Sequence, residues 1–270
     1  MENELRSLMQ GRRFIYICGA EGSGTTLLLR LLTSPPHCSS LGGNYTKVPD
    51  AAGARDLAAE FVRANNAMWD PSFSFADHDR AVKGFAEVLA RIMRSPCFAQ
   101  QTHLFFKRSF PFGTEKGRFT PDLWDLHDVA PEVRFIAIHR DPRAACYSAL
   151  RRNFDTDLRR LAVLASSNLT WLTAQLRQID ASRRRIVSYE RLCENPMQTL
   201  APLAEFCGLT PESLAPAVAA EKIDPSFNQR FQRELDPEML RWLDQFFDAR
   251  RRGQWEILEE ATRAAFPSGH

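Results

Sequence analysis

The run Phe14-Ile-Tyr-Ile-Cys18, the residues Gly19-Ala-Glu-Gly-Ser-Gly-Thr-Thr26 and the apolar stretch Leu27-Leu-Leu-Arg-Leu-Leu32 read as a strand, a tight loop and a helix. Glycines at 19, 22 and 24 let the backbone bend sharply and bring its N–H groups close to an anion, and the start of the helix adds a positive dipole. The segment therefore reads as a phosphate cradle. It meets the pattern G-x-x-x-x-G-K-[ST] at Gly19, Gly24 and Thr26, but Thr25 stands in the lysine position. Without that charge the loop suits a shorter anion carried on a nucleotide better than a triphosphate. A glycine-rich turn that binds nothing is the competing reading.

Further strands are expected at Leu104-Phe-Phe106, at 133–138 and at 185–188, whereas 33–40 reads as a loop. Apolar spacing predicts helices over 54–69 and 80–94, one beginning at Asp141-Pro142, one from Asn195-Pro196 to Gly208, and an amphipathic one over 236–247. Pro202 predicts a kink or break in the fourth of these. Strands alternating with helices argue for an α/β fold, a three-layer sandwich with a central parallel sheet resembling that of P-loop nucleoside triphosphatases (NTPases). Ligands of such sheets sit at the carboxyl ends of the strands. The 270 residues fit a single domain, 1–270, whose last part, 211–270, packs back on the core as helices.

With 35 basic and 33 acidic residues the net charge is +2, which carries no nucleic-acid signature. The triplets at 183–185 and 250–252 read as helix ends or loop edges. Six scattered cysteines form no Cys-x-x-Cys pair, so no metal is expected, and reduced buried thiols point to a cytoplasmic location. Met1 to Arg13 lacks the apolar stretch of a signal peptide, and no segment is long and apolar enough to span a membrane.

Arg140-Asp-Pro-Arg-Ala-Ala-Cys-Tyr-Ser148 places an arginine at a strand end and a serine on the helix that comes next. Together with the glycine loop and Tyr189-Glu-Arg-Leu…Glu194-Asn-Pro196, over residues 14 to 209, this resembles the sulfotransferases that use 3′-phosphoadenosine 5′-phosphosulfate (PAPS). Segments 41–103 and 108–130 carry no match. The resemblance implies that Gly22, Ser23, Gly24, Thr25 and Thr26 hold the 5′-phosphosulfate, that Arg140 and Ser148 hold the 3′-phosphate, and that Tyr189 lies near the adenine. Arg152, one helical turn beyond Ser148, is on the same face and within reach of the 3′-phosphate. No metal is implied.

The chain departs from the family in two ways. Many members carry Lys or Arg immediately before Ser-Gly-Thr-Thr, where this chain has Gly22. Some place a glutamate base just past the first helix, where this chain reads Leu41-Gly-Gly-Asn44. The strand-end Lys-Thr-His of other members corresponds to Lys107-Arg108-Ser109, so Lys107 is the expected catalytic cation and Arg108 a supplement, while Ser109 replaces the histidine. His37, His103, Lys47 and Glu21 are further candidates. The implied reaction moves a sulfuryl group to a hydroxyl or amine of a small-molecule, lipid or glycan acceptor. Aromatic residues in the unmatched loops (Trp69, Phe73, Phe75, Phe110, Phe112) suggest a partly apolar surface for it. The alternatives are a P-loop small-molecule kinase and a catalytically silent nucleotide-binding protein.

Overall fold

The computed structural model of the chain describes residues 2–42, 45–67, 75–110, 126, 130, 132–251 and 255. Trp69, Phe73 and Phe112 lie outside them. Six strands form one sheet: β1 (Arg13–Ala20), β2 (Cys38–Leu41), β3 (Thr46–Lys47), β4 (His103–Phe110), β5 (Arg134–His139) and β6 (Arg184–Ser188), in the order β3-β2-β4-β1-β5-β6. All neighbours are parallel except β2 and β3. The chain turns to opposite sides of β1 in its two halves, so the carboxyl end of β1 is the switch point where ligands of such sheets bind.

Alternation along β1 divides the core. Ile15 and Ile17 face α2 (Thr25–Leu32) and α8 (Pro196–Cys207), packing with Leu28, Leu29, Leu200 and Leu203. Phe14, Tyr16 and Cys18 face the opposite layer. That layer contains α1 (Glu2–Leu8), α3 (Ala54–Ala67), α4 (Phe75–Arg94), α5 (Pro142–Arg151), α6 (Leu158–Gln178) and α11 (Pro237–Arg251). The described residues also include the short helices α7 (Tyr189–Glu194), α9 (Ala215–Ala220) and α10 (Arg230–Glu234). In α11, Leu243 and Phe247 join the core, and Asp244 accepts from Arg143 of α5 at 2.5 Å.

The sheet is wider than the sequence suggests. Residues 38–41, of which 38–40 are expected as loop, form β2 because their backbone completes a parallel ladder on β4, a tertiary gain that Cys-Ser-Ser-Leu does not advertise locally. β4 runs to Phe110 rather than stopping at Phe106, and α4 starts at Phe75 rather than near 80. α6 is an addition to the expected helices: Leu158, Leu161, Ala162, Ala165, Leu169, Leu172 and Leu176 are buried on one stripe, and Asp157 caps it by accepting from the N–H groups of Arg159 and Arg160.

Pro202 does not break α8, which runs unbroken from Pro196 to Cys207. Both Pro202 and Gln198, whose carbonyl loses its donor, are exposed, so that carbonyl is open to solvent. Because the proline serves no visible packing purpose, Pro202→Ala is expected to stabilise the fold by about 1–3 kcal/mol in chemical denaturation.

Candidate active site

β1 delivers Gly19 and Ala20 to the phosphate loop, whose path is set by two left-handed glycines. Gly22 has φ of 84° and Gly24 has φ of 94°. A Cβ at Gly22 would lie 2.7 Å from the carbonyl oxygen of Ala145 in α5, and one at Gly24 would lie 2.3 Å from the ring of Tyr189. The absent basic residue at position 22 is thus a steric matter: the loop rests directly on the α5 backbone, in a conformation few side chains adopt. Ser23 turns inward, its hydroxyl donating to the Ala20 carbonyl, and is 2% exposed. Its side chain braces the loop rather than facing the cavity. Thr25 Oγ1 meets Ser109 Oγ at 2.7 Å, so the serine in the place of the family's histidine is hydrogen-bonded to the loop.

Arg140 comes directly after β5 and is buried. Its Nη1 donates to the Gly22 carbonyl at 2.9 Å and its Nη2 to the Phe227 carbonyl at 3.1 Å, and its guanidinium lies 4.3 Å from the centre of the Tyr189 ring. Its Nε is buried without a partner. Burial pushes the Tyr189 phenol up to about 12, although Arg140 pulls it the other way. The neutral ring is then free to pack between glycine and guanidinium.

Glu190 clamps the two strand ends behind these groups: one carboxylate oxygen accepts from the Asp141 N–H at 2.8 Å and the other from Ser188 Oγ at 2.8 Å. Asp141 caps α5 by accepting from the N–H of Arg143.

Glu21, Gly22, Gly24, Thr25, Thr26, Arg140, Ser148, Arg152 and Tyr189 line a cavity of about 240 Å³. Arg140, Ser148, Arg152 and Tyr189 also line a second cavity of about 230 Å³, which adds Ala144, Tyr147, Arg151, Phe227 and Arg230. Of the positions singled out in the sequence, the fold therefore brings together Gly22, Gly24, Thr25, Thr26, Arg140, Ser148, Arg152 and Tyr189, with the Ser23 side chain turned away. Phe227 and Arg230 are not foreseeable from the sequence because they arrive through a short segment some 80 residues beyond Ser148, with no motif of its own. Glu21, one of several lone candidates in the sequence, pairs with Arg152 at 3.2 Å.

Lys107 lies within β4 rather than at its end, paired with Ile17 on the face of α2. It is 8% exposed, and among the described residues no hydrogen bond or ion pair holds it. Burial lowers its pKa, nearby Glu21 opposes that, and Arg152 and Arg108 add to it. Strand alternation sends Arg108 to the other face, where it donates to Asn66 Oδ1 at 2.8 Å, so it does not supplement Lys107 on the α2 side. Lys47 donates to the carbonyls of Thr33, Ser34 and Pro35, satisfying the end of α2. His37 and His103 sit at the opposite, amino-terminal ends of β2 and β4.

Residues 15–213 match the sulfotransferase family. The chain belongs to that family. No curated protein matches the sequence. Among solved structures, mouse sulfotransferase SULT7A1 complexed with PAP is similar at 12% identity and a TM-score of 0.53, over 96% of this chain and 92% of that one. A sulfotransferase from Alicyclobacillus acidocaldarius is similar at 15% identity and 0.52, over 92% and 96%. Retinol dehydratase in complex with androsterone and the inactive cofactor PAP is similar at 11% and 0.50, over 89% and 81%. These likenesses show the fold: the six-stranded, mostly parallel sheet flanked by helices is that of the P-loop sulfotransferases. Among the described residues no helix is long and apolar enough to cross a membrane.

The steric account of position 22 is testable. Gly22→Lys, which restores the family's commoner residue type, is expected to lower stability by at least about 2 kcal/mol in chemical denaturation and not to raise turnover, because strain in the left-handed region adds to the clash with Ala145. A variant as stable as the parent and more active would overturn it.

Proposed function

We propose that this sulfotransferase takes its sulfuryl group from PAPS held in the two joined cavities, without a metal, and passes it to a hydroxyl or amine of a small-molecule, lipid or glycan acceptor. The observation that carries the reading is Arg140: a buried guanidinium with an orphaned Nε, opening on two cavities and already gripping the phosphate loop. A buried donor without a partner is expensive unless a ligand acceptor meets it. Family membership favours this reading over a small-molecule kinase.

Bound PAPS supplies an activated sulfuryl group and a phosphate leaving group. The loop N–H groups and the Thr26 hydroxyl hold the 5′ end, Arg140 and Ser148 hold the 3′-phosphate, and Tyr189 and Phe227 offer apolar surface to the base. Arg152 serves the 3′-phosphate once it leaves Glu21. Lys107 stabilises charge on the bridging oxygen as the S–O bond breaks and the acceptor atom bonds to sulfur. The acceptor proton passes to a base or to solvent. Fixed donors and positioning supply most of the acceleration in such transfers.

Calorimetric titration checks the nucleotide assignment. The product 3′-phosphoadenosine 5′-phosphate (PAP) is expected to bind at least about tenfold more tightly than adenosine 5′-phosphate, from charge-assisted bonds of roughly 1.5–3 kcal/mol. Ser148→Ala should reduce that preference about tenfold. Arg140→Ala should weaken both nucleotides, since it also releases the Gly22 carbonyl. Equal affinities in the parent protein reject the site.

For catalysis, Lys107→Ala is expected to lower turnover of PAPS with an acceptor from a panel by at least about a hundredfold while PAP affinity changes little, the pattern of a contact made in the transition state. Near-parental turnover would remove Lys107 from the mechanism.

A further inference from the structure

The amino-terminal ends of β2 and β4 bring together three groups that the sulfuryl-transfer site does not use. Cys38 and His103 are paired residues on these adjacent strands, and His37 immediately precedes Cys38. One ligand atom from each of the three lies within 4.8 Å of the others. Cys38 and His103 are buried and His37 is half-buried at the rim, its ring edge-on to that of His103 with centroids 5.3 Å apart.

His103 is held in one orientation. Its Nε2 is 3.1 Å from the carbonyl oxygen of Cys207 and its Nδ1 is 2.8 Å from Thr102 Oγ1. A carbonyl only accepts, so Nε2 carries the proton and Nδ1 presents a lone pair, met here by a hydroxyl that is free to rotate away. An imidazole whose N–H is anchored on a backbone carbonyl, which leaves the other nitrogen able to ligate, is the arrangement found in metal-bound histidines.

We propose that His37, Cys38 and His103 form a site for a thiophilic d10 metal ion, Zn(II) or Cu(I), at the end of the sheet opposite the nucleotide cavities. Two imidazoles and one thiolate are the donor chemistry both ions share. Zinc bonds of about 2.0–2.3 Å place ligand atoms about 3.3–3.8 Å apart, so the cluster needs to contract by roughly 1 Å, within reach of side-chain rotation at half-buried His37. The Cys38 thiol gives its proton to solvent on binding; burial pushes the free thiol up to about 12, with the Lys47 ammonium opposing this only in part, so the metal–sulfur bond itself must drive the loss. Arg13 and Arg134 make the surroundings of His103 positive. With one thiolate, Cu(I) forms a neutral centre and Zn(II) one of charge +1 whose fourth position is left to water. The bound ion would tie the start of β2 to that of β4 and, through the Cys207 carbonyl, to the end of α8.

The test uses the full chain stripped with a chelator and kept reduced. It is titrated with Zn(II), and separately with Cu(I), each in competition with a chromophoric chelator, and Co(II) serves as the spectroscopic probe. One equivalent of Zn(II) or Cu(I) should bind, the tighter ion identifying the centre, and Co(II) should give a thiolate-to-metal charge-transfer band. Cys38→Ser should abolish that band and weaken binding at least about a hundredfold, and His37→Ala, at the rim, should weaken it at least about tenfold. Both variants should retain PAP affinity, which shows that they fold. Absence of saturable binding by either ion, or binding unaltered in folded Cys38→Ser protein, overturns the proposal.

Discussion

The guanidinium of Arg140 ties three distant stretches of chain to one point. It donates to the Gly22 carbonyl of the phosphate loop, donates to the Phe227 carbonyl, and lies against the Tyr189 ring, which itself occupies the space beside Gly24. Each contact fixes a wall of the two joined cavities. Pinning the loop carbonyl on the guanidinium side shapes the cradle before any nucleotide arrives, and preorganisation of this kind lowers the ordering cost of binding. The arginine is therefore both scaffold and recognition group, and its replacement disturbs more than one ligand contact.

The framework behind it is equally dense. Glu190 receives the Asp141 N–H and the Ser188 hydroxyl, joining the ends of β5 and β6. Arg143 spans Asp141 of the same turn and Asp244 of α11, so α11 is connected to the cap of the helix that carries Ser148. Charge-assisted contacts of this sort hold geometry better than neutral ones.

Legibility in the sequence depended on whether a feature was local. The strand, glycine loop and helix at 14–32 were legible because glycine spacing and an apolar run encode them directly, Arg140 and Tyr189 because strand ends place them, and Ser148 because the helix capped at Asp141 carries it. β2 was hidden because its ladder depends on β4, more than 60 residues away, and Phe227 and Arg230 because nothing beside them signals a return to the site. Gly22 looked like a missing cation; only its contact with Ala145 shows that position 22 has no room for a side chain. Lys107 looked like a strand-end residue, yet β4 continues to Phe110, which leaves the lysine buried on the α2 face and Arg108 on the other.

The two margins of the sheet have a bearing on the unwanted association of one molecule with another. An open strand offers unpaired N–H and C=O groups that recruit further strands and start aggregation. One margin ends in β3, only two residues long and antiparallel, too short to template a ladder. The other, β6, opens with Arg184 and Arg185, whose guanidinium groups are anchored on the carbonyls of Ile179 and Ala181 and keep charge along the rim. The arginines that read in the sequence as a loop edge thus place charge at the start of the last strand in the sheet order, a feature that discourages pairing with a strand from a neighbour.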